Sequence, residues 1–418
     1  MTQINSNPNE KNGQHQAKRD AFAQKYMKTA KQHGVFHTMT YDKHDFSVHV
    51  AGQNASQKWR LQNVYAECRA AYGKTRDKIL VDYVLGMKEA IQANELRRAP
   101  FDKIRNLLRP LVRSRILTDN ERYEFKGVDQ SEFRPTPRQS FSSDANILLG
   151  LNANRTVVVV TQADLDSWNI SFEEAHDIAM KNLAAMSPVR FEKSWAGFFQ
   201  GFWHDYYDSS RLLLPQLFAE CQQFDDPVIM IPTSGNLYVA DKANKGAQLH
   251  MLDLVQEHVN GTLKIVSTQM YHFVDGKPVE YKPEDDQLQF KLAQIYKPLF
   301  QSYARQQRKI VEEYLIENGN WAYIMSPKVV QSTKGNSVAT VCCWMTDMET
   351  IFPEADIIAV THVNQTDDGR TLARTDPVLM WNEVIERYEH LIQKLEGFPD
   401  LYRAAPFLAH QTSEDQAA

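Results

Sequence analysis

Cysteine is scarce, four in 418 residues, and Cys342 and Cys343 are adjacent. So few cannot brace a disulfide scaffold, and adjacency is not the spacing of a metal-binding pair. Long apolar runs are missing too. The longest are strand-length pieces such as Val157–Val160, far short of the roughly 18 residues a membrane-spanning helix needs. Met1–Asp20 holds no apolar segment, so no secretory signal and a cytoplasmic setting are expected. Gly-x-Gly-x-x-Gly, His-Glu-x-x-His and Gly-x-Ser-x-Gly are all absent, which removes the commonest dinucleotide, zinc-protease and serine-hydrolase readings. Gly73-Lys74-Thr75 has the ending of a phosphate loop, but Cys68 stands where its first glycine belongs. His33, His37, His44 and His49 crowd together with Asp42 and Asp45 in no known ligand spacing. No metal and no cofactor are expected.

What is present is an ordinary globular composition, 43% hydrophobic and 24% charged, in a chain long enough for two or three domains. The net charge of −5 hides an asymmetry. Residues 1–143 carry 25 basic and 15 acidic side chains; the remainder carries 22 and 37. The bias is steepest over Arg97–Arg115, where Arg97, Arg98, Lys103, Arg105, Arg109, Arg113 and Arg115 accompany the single carboxylate of Asp102. Such a segment can neutralise phosphates in a salt-dependent way. It can equally dock on acidic parts of the same chain or stay in water, with Ile104, Leu107, Leu108, Leu111 and Val112 facing inward. No nucleic-acid motif accompanies it, which favours the second reading.

Periodicity and turn chemistry outline an α+β protein: a mixed-sheet central domain with flanking helices and a smaller C-terminal α/β domain. Residues 1–16 read as a disordered lead and about 17–32 as a helix with Phe22, Tyr26 and Ala30 on one face. Phe46–Val50 alternates as a strand. Helices follow over Leu61–Tyr72 and Lys74–Ala93, the second with Ile79, Tyr83, Met87 and Ile91 in a stripe. Asp129–Asp144 is a loop, then Asn146–Leu151 and Arg155–Thr161 are strands. Ser171-Phe172-Glu173-Glu174 is a capping box that opens a helix ending before Pro188. Val228–Ile231 and Leu237–Ala240 flank a hairpin turn, Gln248–Val259 is helical, and Asp275-Gly276 turns Leu263–Val274 into Val279–Tyr281. A long helix is expected from about Asp286 to Glu317, kinked near Pro298. Three strands, Trp321–Val330, Val338–Trp344 and Asp356–Val363, precede a last helix between Asp376-Pro377 and Gly397. The last strands are apolar on both faces, so the C-terminal region is expected to bury its second face against another domain, a protein partner or a second copy.

The most unusual stretch is Ser194–Arg211. Trp195, Phe198, Phe199, Phe202, Trp203, Tyr206 and Tyr207 alternate with Gly197 and Gly201, and Asp205, Asp208 and Arg211 end it. If extended, both faces are apolar, which suits a buried central strand or an aromatic cleft formed by Trp195, Phe199, Trp203 and Tyr207. Asp208 is placed to cap a helix beginning Ser209-Ser210-Arg211. A carboxylate, two hydroxyls and a guanidinium at a helix start also suit a polar ligand, with Asp208 and Arg211 expected on the rim of the largest cleft of the central domain.

In this region the chain resembles the YtpQ-like family of bacterial proteins, a domain without assigned activity. The resemblance spans about residues 34–281. It rests on Asn146–Leu151 leading into Thr156–Val160, on Asp166-Ser167-Trp168-Asn169, and on Asn182-Leu183. Its most specific points are Tyr207-Asp208-x-Ser210-Arg211, Ile229–Pro232 with Leu237, and Ala240-Asp241. Pro215 departs from the family pattern, and nothing from about Pro283 onward has a counterpart in it. The resemblance implies a fold and a bacterial cytoplasmic setting, but no reaction; with the pattern along the chain, the domains are expected at 17–282 and 283–418, the second with a long connecting helix. Two function classes follow. One is a non-catalytic binding or adaptor protein, with Asp205, Asp208, Ser210, Arg211 and Asp241 as ligand-binding candidates. The other is a hydrolase using Asp205, Asp208 and Arg211, with His204 and Asp241. A nucleic-acid-binding role for residues 97–115 is a third.

Overall fold

The computed structural model describes residues 8–51, 56–124, 133–153, 156–221, 224–261, 264–332, 337–365, 371–375 and 377–407. The chain is α+β. It divides into two compact units, Met1–Arg109 with Leu149–Asn182, and Pro110–Leu148 with Leu183–Ala418. These boundaries do not coincide with the expected ones at 16 and 282. Residues beyond 283 share a compact unit with 183–282, because the long helix packs against the helix of the central sheet.

In the first unit the helix Pro8–Gln32 packs on the helix Gly73–Leu96 and on a three-stranded antiparallel sheet, Met39–Asp42, Ser47–Ala51 and Ser56–Arg60. The anticipated stripes are its core. Tyr26, Ala30, Met87 and Ile91 are buried, with Phe22, Ile79 and Tyr83 packed at the margin. Residues 8–16 are helical rather than a disordered lead. Once Ala23, Tyr26 and Ala30 are anchored, extending a polar helix outward adds one hydrogen bond per residue without a second nucleation.

Gln62–Ala70 forms the other helix of that core. Further on, the strand Ala145–Ala153 pairs with Gln139–Ser140 near its start and with Thr156–Val159 at its end. Ser171 and Glu174 make the reciprocal capping bonds, each at 3.1 Å, at the head of the helix Phe172–Ala185.

The second unit is built on a six-stranded sheet, antiparallel throughout. Its order is Lys277–Glu280, Met270–Val274, Pro227–Thr233, Asn236–Asp241, Phe199–Gly201 and Phe191–Lys193. Both expected hairpins form. Asp275 and Gly276 take φ of 50° and 72°, the left-handed pair that a two-residue turn requires. The helix Lys245–Gly261 lies on this sheet, burying Met251, Leu252 and Val255 against Val228, Met230 and Tyr238. The helix Asp286–Glu317 runs continuously with Pro298 inside it and packs on both Lys245–Gly261 and the strand Val338–Met345.

Past residue 320 the three expected strands become two sheets. One is Tyr323–Ile324, Thr350–Pro353, Leu401–Ala404 and Ile392–Leu395. The other is Lys328–Gln331, Val338–Met345, Ile357–Gln365 and Thr371–Thr375, with Leu379–Met380 beside Ile357–Gln365. Parallel pairing occurs in both. The final helix is shorter than its apolar stripe suggests: it spans Trp381–Tyr388, and Ile392–Leu395 is a strand paired with Leu401–Ala404. The apolar spacing of Ile392 and Leu395 fits either state, and the partner strand decides it. Thr340, Cys342 and Trp344 are buried on one face of Val338–Met345, while the other face is only half-buried.

Candidate functional site

The stretch 194–211 is not one buried strand. Ser194–Gly197 is a turn, closed by Gly197 N–H to the Ser194 carbonyl at 3.2 Å, and it leaves Trp195 91% exposed beside His250. Only Phe199–Gly201 is extended, and the chain then alternates outward and inward. Phe202, His204 and Tyr206 are exposed; Trp203 and Tyr207 are buried. His204 and Tyr206 both hold positive φ, 56° and 63°, which lets one residue after another reverse its side. A Cβ on Gly201 would sit 2.3 Å from the Trp203 ring, so the indole folds back over bare backbone. Thus Trp195, Phe199, Trp203 and Tyr207 do not line one cleft: the first is at the surface and the others are core.

The residues 205–211 do converge, around Arg211. Its guanidinium is fully buried, lies 4.5 Å over the Trp203 ring, and forks onto Asp205 at 2.7 and 2.5 Å. Its Nε donates to Ser187 Oγ at 2.8 Å, and that hydroxyl donates onward to the Leu183 carbonyl. Burial works to raise the Asp205 carboxyl, but the bonds and charge of Arg211 outweigh it and hold the carboxyl below its ordinary value. Ser210 Oγ accepts the Val112 N–H at 3.1 Å.

Asp208 does not cap a helix. It has αR dihedrals, makes no side-chain capping bond, and is followed by a short 3-10 turn, Ser209–Leu213, with Pro215 opening a separate helix, Pro215–Ala219. It is 1% exposed, and neither carboxyl oxygen has a hydrogen-bond partner of good geometry. Burial pushes its carboxyl up, with Arg211 pulling the other way. Asp241 stands apart. The 3-10 turn meets the hairpin at Ser234, through the Ser209 N–H, whereas Asp241 ends the strand Asn236–Asp241, seven residues further along the chain. There it accepts from the N–H groups of Asp225, Asp226 and Ala243, which hold its carboxyl low against the upward pull of burial.

Arg211 has no surface to offer a transition state, and an ion-paired Asp205 of lowered pKa is a poor base. Asp208 and Arg211 do not line the cavity described next.

That cavity, of about 330 Å³, lies elsewhere, among Arg115, Tyr296, Lys297, Glu354, Asp356, Trp381, Phe398 and Asp400. Arg115 is held by Asp119 at 2.7 Å and Asp400 at 2.8 Å, with its guanidinium 4.8 Å over Phe398. Lys297 bonds Asp356 at 2.6 Å, and the other oxygen of Asp356 accepts both the N–H and the hydroxyl of Thr340 at 2.7 Å. Burial tends to raise Asp356 and Asp400, but Lys297 and Thr340 at the first, and Lys394 (2.5 Å) and Arg115 at the second, keep both carboxyls below their usual range. Glu354 differs. Its carboxylate is exposed, accepts the Tyr402 hydroxyl at 3.1 Å, and has no cation beside it among the described residues. Among the lining side chains two cations meet three carboxylates, with aromatic rings as walls; outside the lining Lys394 pairs with Asp400 and Asp119 with Arg115, and among the described residues only Glu354 is without a cation. No histidine or cysteine lines the cavity, and Thr340 donates to a carboxylate too acidic to activate it. The lining comes from seven distant segments with no shared motif, so no local sequence signal marks it.

The basic segment is largely committed to internal partners. Arg97 lies 3.5 Å from Asp164, Arg109 donates to the Asn106 and Leu108 carbonyls, and Arg115 is paired as above. Arg98, Lys103 and Arg105 remain exposed. No helix among the described residues is long and apolar enough to cross a membrane. No family model, no curated protein and no solved structure matches this chain.

Proposed function

We propose that the chain is a non-catalytic binding protein whose cavity beside the long helix takes a small ligand carrying an ammonium group. The single observation behind this reading is the surplus carboxylate of Glu354. It faces a space walled by Tyr296, Trp381 and Phe398, while the other charges there already neutralise one another. Aromatic faces and a carboxylate are what a cation needs, each ring contributing roughly 0.5–2 kcal/mol. Fixed, paired charges give orientation without the mobile base that hydrolysis requires. Membership of the YtpQ-like family and a cytoplasmic setting belong to the same proposal and add no activity to it. A partner surface in the C-terminal region is a further part of it, supported by Trp321 and Tyr323, two exposed rings 6.4 Å apart.

The test is calorimetric titration of the full chain with amino acids and linear diamines, repeated on Glu354→Gln. We expect saturable binding by at least one, weakened roughly tenfold in the variant, in line with loss of one charged hydrogen bond. Equal binding by the variant, or turnover of ester or phosphate substrates, would sink the proposal.

A further inference from the structure

The compact unit built on Met1–Arg109 has a cavity of its own, of about 420 Å³, lined by Arg19, Phe46, Gln62, Tyr65 and Arg69 among others. Its chemistry is the reverse of the first. No carboxylate lines it. The Arg19 guanidinium sits 4.5 Å over the Phe46 ring, the Arg69 guanidinium 5.7 Å from the Tyr65 centroid, and the two rings pack edge to face at 5.3 Å. Two arginines thus flank one aromatic pair. Among the described residues neither forms an ion pair, whereas Arg115, Arg138 and Arg211 do. Arg19 Nε is buried with no hydrogen-bond partner at all, an arrangement that costs free energy unless something compensates it.

A guanidinium stacked on a ring has one face covered and its N–H edge left for a planar or tetrahedral oxyanion. The rings hold both guanidiniums in place, which lowers the entropy cost of binding. Phe46, 1% exposed, is itself pinned at a φ of 51° by the bond from Leu61 N–H to its carbonyl. We propose that this cavity binds a small organic oxyanion, a phosphate monoester or a carboxylate, held between Arg19 and Arg69, independently of the ammonium site.

Titrating the full chain with glycerol 3-phosphate, glycerate and neutral glycerol tests this and separates the two acid types. We expect one or both anions to bind saturably and glycerol not to bind. Arg69→Gln and Arg19→Gln should each weaken binding roughly tenfold or more, as loss of a charge-assisted bond does. Arg69 is exposed, so Arg69→Gln leaves the fold intact even if Arg19→Gln loosens the Phe46 contact. Phosphate-only or carboxylate-only binding identifies the acid. Absence of binding by both anions, or unchanged affinity in Arg69→Gln, overturns the proposal. The Glu354→Gln variant should bind these anions as the parent does.

Discussion

Asp205 and Asp208 are three residues apart and have opposite roles. Asp205 is the counter-charge of a guanidinium sealed from water, so Asp205→Asn strands a buried cation and should cost about 3–5 kcal/mol, read as a lowered urea midpoint. Asp208 is buried with no ion pair and with only the nearby backbone N–H groups of Trp203 and Asp208 facing its carboxyl, so Asp208→Asn should change that midpoint far less than Asp205→Asn does. A loss as large as that of Asp205→Asn would show a role for its carboxylate that the geometry does not provide. Asp144 gives the pH signature. Its carboxylate is buried under Ser267 Oγ at 2.8 Å and the Thr268 N–H at 3.0 Å, and burial outweighs these bonds to push its pKa to about 6. The unfolded value is about 3.9. The native state therefore holds the proton more tightly. Its stabilising contribution is complete below about pH 4 and lost as pH rises through about 6, a change on the order of 3 kcal/mol. Asp144→Asn should flatten the stability-versus-pH curve between pH 4 and 7 relative to the parent. Parallel curves would refute the assignment.

Elements with local chemistry were legible in the sequence, and elements defined by a partner were not. Ser171 and Glu174 cap their helix through bonds that span three residues, and Asp275-Gly276 turns its hairpin through its own dihedrals. Both could be read without knowing the rest of the chain. Ser171→Ala should accordingly lower stability by roughly 1 kcal/mol, with the loss of helix confined to its first turn in amide exchange. The last helix failed that reading because Ile392–Leu395 finds a strand across Gly397. The aromatic stretch failed for a related reason. Gly201 admits the Trp203 ring, and positive φ at His204 and Tyr206 breaks the alternation that an extended chain would keep. Arg211 and Asp205 could be read as a motif but not as a site, because burial decides between a structural anchor and a binding group.

Over the whole molecule, the charge asymmetry in the composition has a counterpart in the two cavities, one lined by arginines and no acid, the other by an excess of carboxylates. Neither could be found by motif, since each is assembled from distant segments. The way the compact units are cut from the chain has a consequence for biosynthesis. Neither unit is contiguous: the first needs Leu149–Asn182 as well as Met1–Arg109. On the ribosome, at 5–20 residues per second, its earlier part waits roughly 4–15 seconds for the later one. During that wait the face of the helix Gly73–Leu96 destined for Thr156–Val159 stays uncovered. The nascent chain cannot finish one half before beginning the other, so the order of translation and the order of assembly are out of step, and the interval is where a chaperone would have the most to hold.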